Sequence, residues 1–146
     1  MIRAGFRWAA WAIVAALSVG GVQGKDLRWS ALNVKARLDA SGNLSVVETQ
    51  RIVFDGDWNG GERTFRVFPG QSLSFQSLTR VDSDGSRHLL SPGSLSAVDE
   101  WSMNENVLRW RSRLPSDPPF AKTELVYELA YMLAGVLVKL TTEQGK

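Results

Sequence analysis

The chain contains no cysteine. That excludes disulfides, thiolate metal sites and a catalytic thiol, so any fold must be held by its core alone. Histidine is nearly absent too, with His88 the only one. A hydrolytic triad needs an imidazole placed between a nucleophile and a carboxylate. His88 instead follows the turn D-S-D-G-S, and no G-x-S-x-G stretch accompanies it. It reads as a surface strand or turn residue. A lone histidine without thiols does not suggest a metal centre, and none is expected. No glycine loop cradles a phosphate: Gly60-Gly61 lies in a turn without the lysine a P-loop carries. No small-molecule cofactor is therefore expected. The strongest apolar run beyond the first 24 residues, Leu129 to Val138, is 10 residues long. A spanning helix needs about 20. No internal repeat is visible.

The first residues read as an export signal. Arg3 and Arg7 form a positive start, Trp8 to Val19 an apolar stretch of 12 residues, and G-G-V-Q-G a run ending in small residues. Val22 and Gly24 then stand at −3 and −1 of a cut before Lys25. The expected organisation is a signal helix over residues 1–24 and a single domain over 25–146. Of the 17 Lys+Arg, two fall in the signal, leaving 15 against 15 Asp+Glu. A formally neutral domain gives no reason to expect a nucleic-acid partner. A cysteine-free exported domain suits the periplasmic or outer face of a bacterial cell membrane.

What the chain does have is alternation. Residues 44–69 organise the rest. Val46, Glu48, Ile52 and Phe54 share one parity, hence one face of a pleated strand. A carboxylate on an apolar face is costly unless paired. The turn D-G-D-W-N-G-G follows, then a short extended segment with Arg63 and Arg66 before Pro69. The expected partner is Arg66, giving a structural ion pair Glu48–Arg66. Upstream, Leu27, Trp29 and Ala31 alternate, then Leu32, Val34, Ala36 and Leu38 continue with one residue slipped. That predicts a strand with a β-bulge, paired antiparallel to 44–54 through the turn at 39–43. Residues 72–81 predict an edge-prone strand, and D-S-D-G-S a hairpin rather than a calcium loop, which would need an acidic twelfth position. Asn106 to Leu114 predicts a strand with Leu108 and Trp110 inward and Arg109, Arg111 and Arg113 on a solvated face. P-S-D-P-P breaks the chain. Leu125, Tyr127, Leu129, Tyr131 and Leu133 then mark a clear last strand. Residues 91–101 remain unassigned.

Short strands, turn-rich connections and no helical period beyond the signal predict an all-β fold, an antiparallel β-sandwich of immunoglobulin-like or related type. The motifs, taken in order, resemble the N-terminal region of bacterial membrane proteins in the family called domain of unknown function 2207. The resemblance rests on the signal, on Gly42, Leu44, Val46, Glu48 and Phe54, on Arg66, Phe68 and Pro69 after a Gly-rich turn, and on Tyr127 and Tyr131. It implies an extracytoplasmic, membrane-tethered β-domain. Family members run on into further strands and membrane spans, whereas this chain ends at T-T-E-Q-G-K. A truncated product lacking its last strands, or a freely secreted form, is the implied departure. Function is expected to be non-enzymatic: binding or scaffolding, with another envelope protein or a membrane segment as partner. The rivals are an envelope-polymer hydrolase using acidic residues such as Asp55 and Asp57, and a non-functional fragment.

Overall fold

A computed structural model describes residues 24–137. The expected signal over 1–24 falls outside them except for Gly24. Nine strands follow one another among the described residues, with no helix. They are β1 (Asp26–Leu38), β2 (Leu44–Gly56), β3 (Gly60–Thr64), β4 (Ser72–Val81), β5 (Arg87–Leu89), β6 (Ser91–Pro92), β7 (Glu100–Asn104), β8 (Val107–Arg111) and β9 (Phe120–Ala134). They form two sheets. The larger has the order β1-β2-β9-β4-β5, and the smaller β3-β8-β7-β6. All pairs are antiparallel except β6 with β7.

The period-2 pattern explains most of this. On β2 the inward parity carries Val46, Ile52 and Phe54, all buried. On β9 it carries Tyr127, Leu129 and Tyr131, also buried. These two strands pair along nearly their whole length, with Val46 opposite Tyr131 and Ile52 opposite Leu125. Leu108 and Trp110 of β8 close the core from the smaller sheet. Aromatic contacts bridge the two sheets: Trp110 and Tyr127 lie 5.3 Å apart between ring centroids, and Phe75 and Trp101 4.7 Å.

The connections follow from turn chemistry. Asp39 Oδ1 accepts the backbone N–H of Ser41 and Asn43, both at 2.9 Å, and Gly42 supplies the positive φ of 82° that closes the β1–β2 turn. The D-S-D-G-S segment closes the β4–β5 hairpin, with Asp82 N–H donating to the Ser86 carbonyl at 2.9 Å. The slip in β1 is a register shift between Trp29 and Ala31, as the change of parity predicts. β4 is flanked by β9 along nearly its whole length but by β5 over only three residues, so among the described residues it is open along more than half of one edge.

Two elements differ from the sequence reading. Residues 91–101 hold β6 and the start of β7. A two-residue strand in parallel pairing has no alternation to detect. The three arginines expected on one solvated face also part company. Arg109 is exposed, Arg111 is half-buried, and Arg113 is buried. β8 ends at Arg111, so strand parity no longer governs Arg113.

Candidate functional site

The larger sheet overhangs the smaller one. Among the described residues β1 is its outermost strand and is paired only with β2. The inward row of β1 is apolar throughout: Leu27, Trp29, Leu32, Val34, Ala36 and Leu38 lie opposite inward residues of β2. Such a row belongs in a core. Yet only Leu27 among the 13 residues of β1 is even half-buried. Trp29 is 58% exposed, Leu32 52%, Val34 54% and Leu38 48%. The cause is architectural. Beneath β2 lies β3, the edge strand of the smaller sheet and only five residues long. Among the described residues no strand of that sheet lies beyond it, so the inner face of β1 has no cover. Contiguous apolar rows of this kind on an unpaired edge mark interaction surfaces or aggregation hazards.

Under the first half of β1 the overhang narrows to a groove of about 460 Å³. Leu27, Trp29, Ile52, Trp58 and Trp110 supply its apolar wall, and Gln50, Glu62, Arg109 and Arg111 its polar groups. Trp58 is fixed there by its indole N–H, which donates to the Asp26 carbonyl at 2.9 Å. Gly60 and Gly61 let β3 pass close to Trp110: a Cβ on Gly61 would stand 2.2 Å from the indole.

Gln50 links the groove to the buried charge. Glu48 is 3% exposed. Its carboxylate accepts a forked pair from Arg63, Nη2 at 2.8 Å and Nε at 3.1 Å. It also accepts Gln50 Nε2 at 2.9 Å and the Tyr131 hydroxyl at 2.8 Å. Four donors saturate the carboxylate, which makes its burial tolerable. Burial by itself pushes the carboxyl up, but the bonds from Arg63, Tyr131 and Gln50 and the guanidinium charge outweigh it and hold it below its ordinary value. The Tyr131 hydroxyl is pushed up to about 12, by burial first and then by the carboxylate it serves.

The partner of Glu48 is thus an arginine, as expected, but it stands three residues before the expected one. Arg63, not Arg66, makes the pair. Parity is the reason. Arg63 lies opposite the buried Leu108 in the β3–β8 ladder, and Phe65, of the same parity, is buried too. Arg66 has the opposite parity and is exposed, with no salt bridge among the described residues. Phe65 and Val67, both apolar, carried that signal in the sequence.

A second cluster was not foreseen. Buried Arg113 donates from Nη2 to Asp57 and to Asn59 Oδ1, from Nε to the Trp58 carbonyl, and from Nη1 to the Asp117 carbonyl. It fastens the β2–β3 turn to the proline-rich connection. Asp57, one of the two carboxylates considered for hydrolysis, is thus the acceptor of a structural arginine and also lies 3.9 Å from Lys25 Nζ. His88 is exposed, with Nε2 3.0 Å from Asp82 Oδ2 at the β4–β5 hairpin. No group of acidic and histidine side chains fit to hold a metal occurs among the described residues. Likewise, among those residues no helix is long and apolar enough to cross a membrane.

Comparison of the chain with protein-family models, with curated proteins and with solved structures gives no match.

Proposed function

We propose that this chain is a non-enzymatic binding or scaffolding module of the cell envelope, an immunoglobulin-like or related β-sandwich exported by its N-terminal signal. On this reading it is related to the extracytoplasmic domains of the family called domain of unknown function 2207. It works by contact with another envelope protein or a membrane-associated segment. One observation carries the reading: the apolar inner row of β1 is open to solvent on an edge strand that pairs, among the described residues, on one side alone. The acidic rival draws no comparable support, since Asp57 is engaged by Arg113.

Two measurements test this reading. A hydrophobic dye is expected to bind the folded protein and to lose most of its fluorescence gain in Leu32→Ser/Val34→Ser, with the thermal midpoint little changed, because exposed positions contribute within about 0.5 kcal/mol each. Unchanged dye binding, or a large loss of stability, would show that the row is covered. When the full chain is expressed in a bacterium, mass spectrometry of the exported product is expected to find Lys25 at its N-terminus. Retention of residues 1–24 in the cytoplasm would contradict export.

A further inference from the structure

We propose that β1 is an acceptor edge for a strand of a partner protein in which apolar residues alternate with acidic ones. The inference rests on the binding reading above and names the chemistry of the partner.

The free edge of β1 is long. After the irregularity at Ser30, residues Ala31 to Leu38 pair with β2 without interruption. Among the described residues nothing pairs with the opposite edge, whose backbone donors and acceptors are unused there. An extended segment laid along it gains a ladder of main-chain hydrogen bonds, and its alternate side chains meet the two rows of β1 separately.

Those two rows differ sharply. The inner row presents Trp29, Leu32, Val34 and Leu38. Apolar side chains on the same face of the incoming strand pack beside them and remove them from water. The residue that comes to lie by Trp29 reaches the mouth of the groove, where Trp58 and Trp110 continue the apolar wall. The outer row presents Arg28, Asn33, Lys35 and Arg37, with Asp26 at its start. None of these three cations forms a salt bridge among the described residues. Carboxylates on the outer face of the incoming strand pair with them, whereas cations there are repelled.

The same charges disfavour a second copy of this chain. Pairing two β1 strands over the row from Leu32 to Leu38 sets Lys35 and Arg37 of one copy near those of the other. Basic residues on an open edge are a known device against self-association.

The test uses the full chain and two labelled synthetic peptides, one alternating valine with glutamate and one alternating valine with lysine. The glutamate peptide is expected to bind saturably, more weakly as salt rises, with the lysine peptide at least about tenfold weaker. In Lys35→Glu/Arg37→Glu, which alters only exposed side chains, the preference is expected to reverse. Absence of binding by either peptide, or the wild-type preference persisting in the double variant, overturns the proposal. So does a dimer in light scattering that Leu32→Ser/Val34→Ser dissolves, which would assign the face to a second copy. If dye binding is lost in that variant while neither peptide binds, the exposed face stands and strand addition falls.

Discussion

Replacing Glu48 by alanine is expected to cost about 3–4 kcal/mol of folding stability, toward the lower end for a broken buried pair, because the guanidinium left behind is still one-third exposed. Arg63 would lose both arms of its fork, and the Tyr131 hydroxyl and the Gln50 amide would each lose an acceptor. Arg63→Ala strands the carboxylate instead. The double variant Glu48→Ala/Arg63→Ala should lose clearly less than the sum of the two, since each single change already breaks the same pair. Additive losses in urea denaturation would contradict the pairing. Arg66→Ala, at an exposed position, should stay within about 0.5 kcal/mol of wild type. Acid sensitivity follows the same geometry. The folded carboxyl sits below its ordinary value of 4.5. The stability it contributes is therefore fully present above that value and is lost as pH falls through the lower, folded one. Other carboxylates titrate there too, so the informative quantity is the difference between wild type and Glu48→Gln. That difference should shrink as pH drops below about 4.5.

Gly60→Ala is expected to be nearly as damaging, at about 3 kcal/mol, the upper end of ordinary overpacking costs. A Cβ at this position would stand 1.8 Å from the Trp110 carbonyl oxygen. The obstacle is backbone, in the strand that Gly60 itself pairs with, so no side chain can swing aside. β3 would have to withdraw from β8, and with it the arm of Arg63 that reaches Glu48. A control sits at Gly85, where an added Cβ meets nothing within 4 Å but φ is +87°. Gly85→Ala should therefore cost only the left-handed penalty, about 1–2 kcal/mol. Thermal or urea melts separate the two. A loss under about 1 kcal/mol at Gly60 would mean that β3 is not clamped to β8 as described.

Much of this was legible in the alternation. Val46, Glu48, Ile52 and Phe54 share a face, and so do Tyr127, Leu129 and Tyr131. The parity slip near Trp29 announced the irregularity in β1. Glu48 stood out because a carboxylate on an apolar face requires a partner. Choosing that partner required carrying the parity through Phe65 and Val67, which points to Arg63. Other features have no local signature. Arg113 meets Asp57 and Trp58 from more than fifty residues away, beyond the end of its strand. β6 and β7 pair in parallel through a stretch rich in serine, with too few residues to show a period. The exposure of β1 is the clearest case. Its apolar row has the pattern of a core face, and only the reach of the smaller sheet decides whether anything covers it. Because β3 is the last strand on that side among the described residues, the row that alternation would send inward lies open.

Residue-resolved amide hydrogen exchange along β1 tests the open edge most directly. In an antiparallel edge strand only alternate N–H groups point at the neighbour. Between Ala31 and Leu38 protection is expected to alternate: amides directed at β2 protected, and the intervening ones exchanging close to the rate of unstructured chain. Uniform protection along these residues in the free protein would contradict it, because the edge would then already be paired.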